Sequence, residues 1–319
     1  MMTPEQTDWF ADTFDALAAN VGSAVLGKDH VVRLAVVALL AEGHILLEDA
    51  PGTGKTSLAK ALAATVKGTH SRIQFTPDLL PSDVTGVTIY DQGTGRFDFH
   101  PGPIFASIVL ADEINRASPK TQSALLEVME ESRVTVDTVS HSVGRPFMVI
   151  ATQNPIEQAG TYRLPESQLD RFLIKTSLGY PNAESTLEIL GDATRDRTAG
   201  LAPVISTGAV GDMADLAAQV HTDPAVLDYV ARIVQATRDD PRTGFGVSVR
   251  GALALVRCAK VWAASQRRAY VLPDDVKLLG GPVLAHRIIL DAEAEFSGVT
   301  AAAIVDQILA DTAPPASRL

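Results

Sequence analysis

Trp9, Phe10, Phe14 and Leu17 recur at helical spacing, which predicts an amphipathic helix over residues 5–20. Val25-Leu26-Gly27-Lys28 interrupts that pattern, and residues 31–41 resume it as a nearly all-apolar helix that must be buried. Ile45-Leu46-Leu47 is a short apolar run of strand type, and the alanine-rich stretch 57–63 beyond it is helical. Arg72-Ile73-Gln74-Phe75 is a candidate short strand. Pro77, Pro81, Gly86 and Gly93-Thr94-Gly95 then punctuate a segment of mixed character, so residues 76–103 read as an insert. Residues 108–111 form a second buried strand that ends at the acidic pair Asp112-Glu113. A helix is predicted over 119–131, with Ser118 as its cap and Pro119 in its first turn. Val134 and Val136 alternate with polar residues, and Gly144 separates them from the apolar run 147–151, which predicts a hairpin and then a third core strand.

Strands alternating with helices imply a parallel sheet covered on both faces. Near Tyr180-Pro181 the strand signals fade, and helical patterns cover 183–193, 224–237, 250–265 and 273–284. The expected organisation is an N-terminal helix over 1–22, an α/β domain over 23–180, an all-helical domain over 181–311 and a flexible tail over 312–319.

Composition narrows the class. A chain of 319 residues exceeds the usual single domain, and 46% hydrophobic with 20% charged content supplies ample core. A net charge of -11 disfavours nucleic acid as the main partner, although a local basic patch remains open. Cys258 stands alone, so it forms no internal disulfide; it reads as a small buried apolar residue, and a reducing compartment suits it. The acidic start (Glu5, Asp8, Asp12, Asp15) shows no secretory pattern, and the longest apolar run, 34–41, falls well short of the ~20 residues that span a bilayer. A cytoplasmic location without a transmembrane segment is the expectation.

The chemistry concentrates where the strands end. Asp49-Ala50-Pro51-Gly52-Thr53-Gly54-Lys55-Thr56, between the first strand and its helix, has the context of a phosphate-binding loop. Gly52 and Gly54 let backbone N–H groups face phosphates, and the helix N-terminus adds partial positive charge. Lys55 is the point charge on the β and γ phosphates, and the Thr56 hydroxyl is placed to ligate magnesium. The usual pattern wants glycine at position 49, where this chain has aspartate. An ordinary strand-to-helix turn with a chance Gly-Lys-Thr is the plain alternative.

In a parallel sheet, neighbouring strand ends open into one crevice, so Asp112 and Glu113 should face that loop. Asp112 is then the metal partner and Glu113 the base that activates water; an exposed acidic loop is the plainer reading of the pair alone. Asn154 follows the third strand, where a neutral amide can hold the attacking water or the γ phosphate. Arg171 leads out of the sheet domain and Arg250 starts a helix of the second. Each is by itself an ordinary surface arginine, yet phosphoryl transfer uses such groups to stabilise charge on the γ oxygens. The seven histidines are scattered without metal-binding spacing, and His100, before Pro101-Gly102-Pro103, reads as a turn residue.

Taken in order, these motifs resemble the AAA+ ATPases, and specifically the MoxR family. The resemblance rests on 46–56, His100-Pro101-Gly102-Pro103-Ile104-Phe105, 110–117, 151–155 and 160–172, and it extends over roughly 20–290. It implies an α/β P-loop NTPase fold, a parallel sheet sandwiched by helices, followed by an all-α lid domain. It also implies that Lys55 and Thr56 are the Walker A pair, Asp112 and Glu113 the Walker B pair, Asn154 sensor 1, Arg171 an arginine finger acting in trans and Arg250 sensor 2. Val25-Leu26-Gly27 resembles the segment that contacts adenine, with Pro51 to Ser57 holding the phosphates; the family tolerates Asp49. Residues 76–91 look like the helix-2 insert and 133–145 like the pre-sensor hairpin. ATP and magnesium are the implied cofactors. A hexameric ring that remodels or activates a protein client, often with a von Willebrand factor A domain partner, is the implied assembly. Two rivals remain at this point: a nucleic-acid motor of the same fold, and a nucleotide-gated scaffold with little turnover.

Overall fold

The computed structural model describes residues 2–93, 95–154, 161–162, 164–191 and 196–315. Thr94, Pro155, Gly160, Arg163, the end of the helix expected over 183–193 and the last four residues of the tail lie outside the described residues.

The chain opens with helices α1 (Pro4–Gly22) and α2 (Asp29–Leu40), then strand β1 (Ile45–Glu48), helix α3 (Lys55–Thr65) and strand β2 (His70–Gln74). The insert holds α4 (Pro81–Thr85) and an antiparallel hairpin, β3 (Gly86–Asp91) with β4 (Arg96–Pro101). After β5 (Ile108–Asp112) and α5 (Pro119–Glu131), a second hairpin pairs β6 (Arg133–Val136) with β7 (Val139–Ser142). Then come β8 (Met148–Gln153), α6 (Glu166–Leu169), β9 (Ile174–Thr176), α7 (Ala183–Gly191) and α8 (Thr207–Ala218). The remainder is α9 (Pro224–Asp239), β10 (Thr243–Phe245), α10 (Val249–Ser265), α11 (Pro273–Leu284), β11 (Ile289–Leu290), α12 (Ala292–Phe296) and α13 (Ala301–Asp311).

The five-stranded sheet runs β2-β5-β8-β1-β9, and the pairs β2·β5, β5·β8 and β8·β1 are parallel. In β1, β5 and β8 every residue but the last is buried, so both faces must be covered, as continuous apolar strands require. The last residues, Glu48, Asp112 and Gln153, come part-way to the surface and place polar groups along one edge of the sheet. In α1, Phe10 and Phe14 are fully buried while Trp9 is exposed, the amphipathic face its spacing predicts. Helix α5 starts as expected: the Ser118 hydroxyl accepts from the Thr121 N–H, with Pro119 in the first turn. His100, expected in a turn, lies instead in β4 opposite Val87, because the hairpin continues to Pro101.

By contacts the chain divides into two compact units: one of residues 16–164 and 176–211, which carries β1, β2, β5 and β8, and a second of 1–15, 165–175 and 212–319. In the second, α9 buries Val226, Tyr229, Val230, Ile233 and Val234 along one stripe, with Asp223 capping its first turn. Arg268 forms two hydrogen bonds to Asp275, whose Oδ2 also accepts from the Leu272 N–H at the start of α11. The helical pattern dominates as expected, with additions beyond it: helices α12 and α13, and an antiparallel ribbon of β10 and β11. Strands of three and two residues are too short for an alternating pattern to register.

Candidate functional site

The loop between β1 and α3 has the backbone a phosphate cradle needs. Gly52 and Gly54 adopt φ of 81° and 97°, with open space where a side chain would point, so glycine is required here for conformation and not for room. Gly54 caps α3, whose first residues are Lys55 and Thr56, so the free N–H groups of the helix start face the loop. The Lys55 ammonium turns back to donate to the carbonyls of Asp49 (3.1 Å) and Ala50 (3.2 Å).

The loop lines a cavity of about 240 Å³ from Pro51 to Thr56. The opposite wall is Arg72 and Gln74 of β2, Asp112 and Glu113 at the end of β5, and Asn154 after β8. The residues expected to hold phosphate, to bind metal and to activate water therefore share one cavity. Asp112 accepts through Oδ1 from the Thr152 hydroxyl (2.6 Å) and pairs through Oδ2 with the Arg72 guanidinium (2.6 Å). Glu113 sits in the left-handed region (φ 57°), held there as its N–H donates to that same Thr152 hydroxyl (2.9 Å). Its Oε2 accepts from Gln74 (2.9 Å) and pairs with Arg116 (3.1 Å).

Magnesium suits this donor set. Among the described residues no three His, Cys, Asp or Glu side chains cluster as a metal cage. A cation beside Thr56 and Asp112 would draw its remaining ligands from phosphate oxygens and water, which is how magnesium binds in nucleotide sites.

A second cavity of about 290 Å³ adjoins the same loop. Val25, Leu26 and Lys28 form one side, Gly52 to Gly54 with Ser57 the floor, and Pro181, Ile189 and residues 196–198 the far side. Gly27, expected among the ligand contacts, lies between these lining residues without being one of them. Its size and partly apolar lining suit a nucleoside whose phosphates continue into the first cavity.

Several functional contacts escaped the sequence reading. Asp49, only 4% exposed, accepts from the Ser177 hydroxyl (2.8 Å) and from the N–H groups of Leu178 (2.7 Å) and Gly179 (2.8 Å). The residue that departs from the common loop pattern thus ties the loop's first turn to a distant segment. Thr152 carried no motif of its own. Arg72 and Gln74, two apart on a strand and so on one face, could have been found from the sheet order. Arg171 and Arg250 both belong to the helical unit, Arg171 half-buried after α6 and Arg250 exposed in the first turn of α10. Cys258 is buried, and burial pushes its thiol up to about 12, which leaves it unreactive as expected.

The family model described as "ATPase family associated with various cellular activities (AAA)" matches residues 44–174, and the "AAA lid domain" model matches 235–308. The chain is 47% identical to the uncharacterized protein YeaC of Bacillus subtilis (strain 168), over 94% of each chain. It is 40% identical to Chaperone MoxR1 of Mycobacterium tuberculosis, over 95% of this chain and 82% of the relative. A crystal structure of a candidate ATPase from Cytophaga hutchinsonii superposes with a TM-score of 0.90 at 37% identity, over 98% of both chains. Among the described residues no helix is long and apolar enough to cross a membrane.

Proposed function

The chain belongs to the MoxR family of AAA+ ATPases, and from that premise we propose that it couples magnesium-dependent ATP hydrolysis to the remodelling or activation of a protein client. The observation that carries this reading is the cavity in which Lys55 and Thr56 face Asp112 and Glu113, with the acidic pair pinned by one hydroxyl, that of Thr152.

In this reading Pro51 to Ser57 wrap the phosphates, and Lys55 leaves the loop carbonyls to neutralise the β and γ oxygens. Thr56 and Asp112 would hold magnesium, which when bound would supply further neutralisation of the phosphate charge. Glu113 takes the proton of the attacking water, and Asn154 orients that water or the γ phosphate. Val25 lines the adenine side, and Gly27 serves it from the turn between the lining residues Leu26 and Lys28. Arg171 acts in trans as the arginine finger and Arg250 as the second sensor, which requires a ring, taken as a hexamer. Residues 23–180 serve as the nucleotide-binding domain and 181–311 as the lid. A relative named as a chaperone supports a protein client, with a von Willebrand factor A domain partner and a cytoplasmic location as part of the same reading.

Lys55→Ala should lose nucleotide binding. Glu113→Gln should bind ATP as wild type does while turnover falls by at least about a hundredfold. A Glu113→Gln protein with undiminished turnover would remove the base assignment. Added DNA should leave the rate unchanged, and Arg171→Ala subunits mixed with Glu113→Gln subunits should recover activity if the finger acts across the interface.

A further inference from the structure

Arg171 and Arg250 are distant in sequence, yet one buried cluster in the helical unit grips the backbone beside both. Arg287 ends the short 3-10 turn after α11, and its side chain is 2% exposed. Its Nε donates to the Val283 carbonyl (2.8 Å). Nη1 reaches both the Asp170 carbonyl (2.9 Å) and Oδ1 of the Asp170 carboxylate (2.7 Å), and Nη2 donates to the Phe172 carbonyl (2.6 Å). The carbonyls on either side of Arg171 are therefore fixed by one guanidinium, and His286 Nε2 adds a contact to the Phe172 carbonyl (3.0 Å).

The remaining Asp170 oxygen, Oδ2, accepts from the Ser248 hydroxyl (3.1 Å). Ser248 is the N-cap of α10 and itself accepts from the Gly251 N–H, so Arg250 lies within the capped turn. A Cβ at Gly251 would come within 2.7 Å of Arg287 Cδ, so the first turn of α10 lies directly on the Arg287 stem. Burial works against the charge of Arg287 and the Asp170 carboxylate works for it, so removing that carboxylate strands a buried cation.

We propose that Asp170 and Arg287 are positioning residues for ATP turnover, locking the Arg171 segment and the start of α10 into one block so that Arg171 and Arg250 are delivered to phosphate together. The inference rests on the reading of these two arginines as phosphate-facing groups. Its physical basis is geometric: a charge-stabilising group displaced by about 1 Å can cost about a hundredfold in rate, and each arginine is a long, flexible side chain whose placement depends on its backbone.

The test compares Asp170→Asn and Arg287→Lys, each alone and in an Arg171→Ala background, in the full-length protein. The measurements are binding of a fluorescent ATP analogue and steady-state kcat. Each single variant should bind the analogue within about twofold of wild type while kcat falls about tenfold, because positioning is lost and the cradle is not. In the Arg171→Ala background the same changes should cost clearly less than in wild type, since only Arg250 is then left for them to position. Equal fold-losses in both backgrounds would mean a merely structural role and would overturn the proposal. So would wild-type kcat for Asp170→Asn alongside an impaired Arg171→Ala. If Arg171→Ala itself turns over normally, the reading of Arg171 fails first and this inference fails with it. Should Arg287→Lys not fold, Asp170→Asn, which preserves shape, decides the question alone.

Discussion

Replacing Asp49 by glycine would restore the common phosphate-loop pattern, and the structure argues that it would weaken the protein. The carboxylate is buried and accepts two backbone N–H groups, of Leu178 and Gly179, and one hydroxyl, of Ser177. Asp49→Gly leaves both N–H groups without an acceptor, at about 1–3 kcal/mol each, and the Ser177 hydroxyl can turn to another partner at smaller cost. Position 49 has no positive φ, so glycine brings no conformational relief and adds roughly 0.5–1 kcal/mol of backbone entropy. The expected loss is about 4 kcal/mol, which for a unit of this size lowers Tm by roughly 8–16 °C. Asp49→Asn keeps one acceptor oxygen and should lose about half as much. Thermal melts followed by circular dichroism, with urea unfolding as the check on free energy, measure both. An Asp49→Gly protein melting within about 2 °C of wild type would refute the argument that this carboxylate secures the loop.

Arg72 competes with a cation for Asp112 Oδ2, so Arg72→Ala should lower the magnesium concentration needed for half-maximal binding of a fluorescent nucleotide. The pair is partly exposed and worth at most about 1 kcal/mol, which sets the shift at no more than about fivefold. An unchanged or higher magnesium requirement would contradict it. Burial, reinforced by the charge of Arg287, pulls His286 down to about 3, against the opposing pull of the Phe172 carbonyl that Nε2 contacts. The unfolded chain therefore takes up a proton near pH 6.5 that the folded chain refuses, so this contribution is complete above about pH 6.5 and is lost as pH falls toward about 3. At pH 5 the difference is about 2 kcal/mol, and His286→Gln should remove most of it; identical losses between pH 7.5 and 5 in urea unfolding would count against the assignment.

The parts of the fold written in local pattern were legible. Apolar strands ending in a polar residue, Ser118 before Pro119, and Gly52 and Gly54 ahead of Lys55 each carry their reason within a few positions. What escaped reading was decided at long range or in very few residues. Asp49 looked like a departure from a motif because its partners lie at 177–179. Thr152 is an unremarkable strand residue until β5 is placed beside β8, when its hydroxyl meets both Asp112 and the Glu113 N–H. Residues 165–175 cluster with the helical unit through the Arg287 contacts, which no periodicity announces. Helix α8 carries Gly208 and Gly211, which weaken its helical signal below notice.

Gly52, Thr53 and Gly54 line both cavities, so one thin strip of backbone is the partition between them. A compact inhibitor seated only on the side of Val25, Leu26, Pro181 and Ile189 would press on that strip from behind and exclude nucleotide without touching Lys55 or the acidic pair. Such a compound needs no phosphate mimic, so an uncharged one would suffice; it would cross membranes more readily than a nucleotide analogue and keep its potency as salt is raised.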